Sequence, residues 1–80
     1  MTTVKHAIGE HDVVALIDPV KKTKDPGNWP TGTVGAVVSD YGDVKLIEVA
    51  NDRGEMLDLI QVRELRLKLI AKSAHAQTQV

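Results

Sequence analysis

The residues of this 80-residue chain that could hold a metal or move a proton are three histidines and eleven carboxylates. His6 and His11 are five apart, which suits neither one helix face nor one strand face, and His75 lies far along the chain. That spacing describes no metal site. Asp40, Asp43, Asp52 and Glu55 lack both the ligand spacing and the closing bidentate Glu of an EF-hand. Their expected role is turn formation, because an Asp side chain bonds its own backbone two residues on. Asp12 and Asp18 flank an apolar run and read as strand-end caps. With no cysteine in the chain, disulfides, thiolate zinc sites and a thiol nucleophile are all excluded. No nucleophile elbow, Walker loop, dinucleotide fingerprint or Ser/His/Asp set is present. A chain without catalytic residues, metal or cofactor is expected.

Recognition chemistry is the remaining possibility, and Trp29 is its sharpest feature. It is the only tryptophan, set between Asn28 and Pro30. Two readings are open: a lid folded over an otherwise aliphatic core, or an exposed anchor for a partner segment. A peptide shelf needs several aromatics, and Tyr41 is the one other. The charges also divide along the chain. From Asp40 to Asp58 six acids stand against Lys45 and Arg53, whereas from Arg63 to Lys72 four bases stand against Glu64. Complementary solvated strand faces explain that pattern, and a docking surface made of Trp29, Tyr41, Arg63, Arg66 and Lys68 is the functional alternative. The net charge of −1 supplies no overall field for nucleic acid.

The elements that position these residues read as strands. Val, Leu and Ile make up 23 of the 80 residues, most of them β-branched, which fits a pleated sheet. The pattern predicts strands at Asp12 to Asp18, Thr33 to Ser39, Val44 to Ala50 and Glu55 to Val62, with turns at Asp40 to Asp43 and Asn51 to Gly54. Gly35 marks a bulge or a close backbone approach. Glu64 to Leu69 alternates polar and apolar and reads as a fifth strand, with a helix toward Ala76 as the alternative. Between the first two strands, Pro19 to Gly32 holds all three prolines, a composition that argues against regular structure. Connections of this length inside a small domain are often functional.

From Asp12 to Leu67, the DVVAL opening strand, the GTVGAVV strand, the YGD turn, the IEV strand, the D-x-G turn and the closing E-L-R resemble the bacterial domain of unknown function 4926. That family is similar to SH3-like barrels. The GTVGAVV strand bears a weaker resemblance to KOW-type barrels, although Asp40, Asp43 and Glu48 near the corresponding turn would repel phosphate. The resemblance implies an all-β, SH3-like small barrel of about five strands, with a long proline-rich loop after the first strand and no catalytic residues. The expected organisation is a leader over 1–11, the barrel over 12–70 and a tail over 71–80.

The third and fourth strands are apolar on both faces. With Ile47, Val49, Leu57 and Leu59 inward, as the family resemblance suggests, Leu46, Met56 and Ile60 face outward and need cover from Leu67, Leu69 and Ile70 of the same chain or from a second copy, with Leu46, Met56, Ile60, Leu67 and Leu69 as the expected oligomer interface. The expected function is a non-catalytic protein-interaction module that self-associates and meets a further protein, encoded by a neighbouring gene. The alternatives are a nucleic-acid-binding barrel using Lys21, Lys22, Lys24, Arg63, Arg66 and Lys68, and a small-ligand site between subunits. No apolar stretch of signal or membrane-spanning length is present, so a cytoplasmic location is expected.

Overall fold

The computed structural model describes residues 7–73. Among them are seven strands: β1 (Val13–Leu16), β2 (Val20–Lys21), β3 (Asn28–Trp29), β4 (Val34–Asp40), β5 (Val44–Ala50), β6 (Met56–Arg63) and β7 (Leu67–Ala71). The chain is all-β, as its β-branched composition predicts. Five strands form one antiparallel sheet in the order β6-β5-β4-β1-β7, and β2 and β3 form a separate two-stranded ribbon. The sheet is open, with β6 and β7 as its edges.

The core lies on one face of this sheet. Ile8, Val14, Leu16, Val37, Ile47, Val49, Ile60, Val62 and Leu67 are buried there, with Val20, Trp29 and Leu69 packed against them. Strand alternation explains the set: Ile47 and Val49 of β5 stand on the same face as Ile60 and Val62 of β6, with Ile47 directly opposite Ile60. Gly35 is required by close approach, since a Cβ there would stand 2.6 Å from Ile47 Cγ2 and 2.7 Å from the Glu48 carbonyl oxygen. The turn at 51–55 is held by its own side chain, Asn51 Oδ1 accepting from the N–H groups of Arg53 and Glu55, while Gly54 takes φ of 81°.

Several expectations change. Residues 19–32 do contain regular structure, because Val20 pairs with Trp29 and Lys22 N–H donates to the Gly27 carbonyl at 3.0 Å. The fold also extends past the expected domain limits: Ile8 belongs to the core and Ser73 is buried. Neither a strand nor a helix begins at Glu64; Glu64–Arg66 is a 3₁₀ turn. Glu64 N–H donates to the Asp43 carbonyl at 2.7 Å, and the Ile17 N–H to the Arg66 carbonyl at 3.0 Å. Those two bonds fix both ends of the turn, and Leu65 is left exposed.

The faces of β6 are the reverse of the expected ones. Asp58, Ile60 and Val62 point inward, and Leu57 and Leu59 outward. A register shift between Val49 and Ala50 places an extra residue at Leu57, and one residue of slip exchanges the two faces of a strand. Ile60 and Leu67, expected at an oligomer interface, are therefore core residues at 1% and 6% exposure. Leu69 likewise packs on the core, Met56 is exposed and Leu46 is half-buried on the outer face.

Candidate interaction surface

The ribbon β2–β3 crosses the core side of the sheet and is tied down by one carboxylate. Asp58 is 2% exposed. Its oxygens accept from Thr23 N–H at 2.9 Å, from Trp29 Nε1–H at 2.9 Å, from Leu59 N–H at 2.9 Å and from the Thr23 hydroxyl. Burial alone would raise this carboxyl; the hydrogen bonds outweigh it and lower it to about 2. Trp29 is half-buried, its ring against the core and Lys22 Nζ 4.7 Å from the ring centre. This geometry is that of the lid, with the indole N–H turned inward to Asp58.

Two further buried charges brace the frame. Lys45, fully buried, donates to Asp40 Oδ1 and pairs with Glu64 Oε1 at 3.0 Å. Burial works against its charge, but the two carboxylates prevail and its pKa is raised. Asp12, 1% exposed, accepts from Gly9 N–H at 2.8 Å, Ser73 N–H at 2.7 Å and Lys72 Nζ at 2.8 Å. Its carboxyl is lowered: burial opposes that shift, and the Lys72 hydrogen bond leads the contacts that produce it. Asp12 thus does more than cap a strand, since it joins the first and last segments of the fold.

No sequence motif marks any of these three roles. A signal did exist: Lys45 alternates with Ile47 and Val49, and Asp58 with Ile60 and Val62, so each charge sits at a core-facing position. A charge in such a place needs a partner.

The candidate recognition residues are scattered. Trp29 reaches Asp58, which pairs with Val49, while Tyr41 adjoins Val44, which pairs with Arg63. These are opposite ends of the β5–β6 ladder, separated by about 17 Å along the strands. Trp29 and Tyr41 therefore do not form one shelf. Arg66 is committed to the frame, bonding the Pro19 carbonyl at 2.9 Å and standing 3.5 Å from Asp18. Lys68 is exposed on β7 opposite Ala15, and Arg63 is exposed at the end of β6.

The outer face of the sheet is the surface that remains. Leu57 and Leu59 of β6 are 44% and 38% exposed. Leu59 pairs with Glu48, Glu48 with Ala36 and Ala36 with Val13, a row running across four strands. Leu46 stands diagonally beside Leu59, opposite Gln61. Val34 and Ile70 extend the apolar character, at 51% and 50% exposure. Among the described residues no group of three or more His, Asp or Glu could hold a metal ion, and no helix is long and apolar enough to cross a membrane. Protein-family models, curated proteins and solved structures return no match to this chain.

Proposed function

We propose that this chain is a non-catalytic protein-interaction module of the SH3-like barrel class, and that it self-associates. The observation that carries the reading is the outer sheet face, where the exposed Leu57 and Leu59 of β6 stand beside the half-buried Leu46 of β5. Apolar side chains grouped in this way mark a protein contact. The class is supported by the strand order, by the long connection between β1 and β4 and by the 3₁₀ turn before the last strand. The resemblance of residues 12 to 67 to the domain of unknown function 4926 supports the same class.

The absence of a large aromatic core supports the self-association. With no phenylalanine and a small aliphatic core, the monomer's margin over chain entropy is narrow, and association adds to it. A nucleic-acid role is disfavoured, because Lys22 lies over Trp29 and Arg66 is engaged with Pro19 and Asp18.

Sedimentation equilibrium across a micromolar to millimolar series tests the reading. The average mass is expected to rise above the 8.7 kDa of one chain, and random-sequence DNA and RNA are expected not to bind. A constant monomer mass removes the self-association. Binding to random nucleic acid that weakens steeply with salt replaces the reading with the nucleic-acid one.

A further inference from the structure

Pro19 and Pro30 stand immediately before and after residues 20–29. A proline fixes its φ and brings no N–H, so neither can carry a hydrogen-bonded ladder from the sheet into the ribbon. Both are pinned to the frame instead. The Pro19 carbonyl accepts from Arg66 Nη2 at 2.9 Å, and the Pro30 carbonyl from the Thr33 N–H at 3.1 Å and the Thr33 hydroxyl at 2.7 Å. Just outside them, Leu16 N–H donates to the Thr33 carbonyl at 2.9 Å and Gly32 N–H to the Leu16 carbonyl at 2.8 Å.

Between those fixed ends the ribbon bonds mainly to itself. β2 and β3 pair with each other and with no strand of the five-stranded sheet, and Lys22 N–H closes the tip on the Gly27 carbonyl at 3.0 Å. Among the described residues, the hydrogen bonds from 20–29 to the sheet all end on Asp58, from the Thr23 N–H, the Thr23 hydroxyl and Trp29 Nε1–H. Apolar attachment falls to the half-buried Val20 and Trp29. Lys21 and residues 23–28 are exposed. A segment with few buried contacts and its own internal pairing is the kind that opens separately from a core.

We propose that residues 20–29 are a lid that opens as one body about Pro19 and Pro30 while the five-stranded sheet stays folded, with Asp58 as its latch. Since each proline holds its own φ, the rotation falls on the residues beside it. Opening bares the Asp58 carboxylate and the part of the core that Val20 and Trp29 cover. Val49 pairs with Asp58, and Ile60 lies two residues along the same face, so the bared strip is one charge set among apolar side chains. The closed chain hides this strip; the open chain presents it without unfolding. The lid lies on the inner face of the sheet, and it holds whether or not the chain self-associates.

Native-state hydrogen exchange, followed by nuclear magnetic resonance across urea concentrations below the unfolding transition, tests the lid. The reporters are the Lys22 and Thr23 amides and Trp29 Nε1–H in the ribbon, and in the sheet the Val37 amide, which donates to the Asp12 carbonyl at 2.9 Å. With intrinsic rates divided out, the ribbon protons are expected to share one opening equilibrium, at least roughly a hundredfold more favourable than that of Val37. Their exchange should respond weakly to urea, because little surface is exposed, whereas Val37 should follow urea steeply. Ribbon protons with the rate and urea slope of Val37 would overturn the lid. Unrelated rates among the three would overturn it too, since they mean fraying residue by residue.

Two variants test the latch and the separateness of the lid. Thr23→Val removes the hydroxyl on the β2 side and is expected to speed exchange of Trp29 Nε1–H, on the β3 side, by roughly fivefold or more. No change at Trp29 would refute joint opening. Val62→Ala weakens the sheet four residues along β6 from Asp58 and raises the energy of the closed and open forms alike. It is expected to speed Val37 exchange by roughly tenfold or more and to leave the ribbon protons within about twofold. Ribbon protons that speed up together with Val37 would show that ribbon and sheet open only as one, and should Val62→Ala not fold, the urea series on the wild type decides.

Discussion

Asp58 occupies a position that strand alternation reserves for an apolar side chain, and it holds the ribbon through Thr23 and Trp29. Its carboxyl, lowered to about 2 from 3.8, makes the fold acid-sensitive. A carboxyl lowered by folding contributes stability that is complete above its unfolded value. That contribution fades as pH falls through about 4 toward 2, by roughly 2 kcal/mol in all. Urea denaturation followed by Trp29 fluorescence should show this loss between about pH 6 and about pH 2. Asp58→Asn should be less stable at neutral pH and show a shallower acid slope, the lowered Asp12 supplying the slope that remains. An unchanged slope in Asp58→Asn would remove Asp58 from the account. Lys45 acts at the other end of the scale: its raised pKa gives stability that is present below its unfolded value and lost as pH rises through the folded one.

The elements depend on close approach at one point, where β4 runs beside β5 at Gly35. A methyl group there meets the Glu48 carbonyl at 2.7 Å as well as the Ile47 side chain, and a backbone carbonyl cannot turn aside as a side chain can. Gly35→Ala is expected to cost more than about 3 kcal/mol, read from the urea midpoint, by forcing the two strands apart. A loss below about 1 kcal/mol would show that the strands part easily. The sequence made this contact partly legible, because a glycine inside the valine-rich strand signals approach or a bulge. Four of the five sheet strands were legible in the same way, from apolar runs bounded by glycine and aspartate turns. The faces of β6 were not. Leu57 and Leu59 are as apolar as Ile60 and Val62, so composition cannot choose between them. The choice falls to the bulge at Leu57 and to Asp58, whose partners Thr23 and Trp29 lie far away in sequence. The candidate surface suffers from the same ambiguity: Leu46 and Met56 are legible as outward residues, whereas nothing in the local pattern shows that Ile60 and Leu67 pack inward.

At the scale of the whole molecule, a small aliphatic core and exposed leucines on the outer sheet face point in one direction. A monomer of this size has little stability to spare, so coupling to a second copy should be visible in the thermal midpoint. Differential scanning calorimetry is expected to show the midpoint rising by a few degrees for each tenfold increase in protein concentration. A wild type whose midpoint is independent of concentration would contradict the association. The pairing of β1 with β7, reinforced by Asp12 accepting from Ser73 N–H across 61 residues of sequence, has a different consequence. It concerns the order of synthesis. β1 is made before β7, so one of its two neighbours in the sheet is missing until the chain has reached Ala71, and two of the partners of Asp12, Lys72 and Ser73, arrive later still. Until then β1 has one side unpaired and the carboxylate of Asp12 has no cation to meet. The nascent chain can build the β4–β5–β6 meander first, and the complete fold can close only after the Ser73 amide has cleared the exit tunnel.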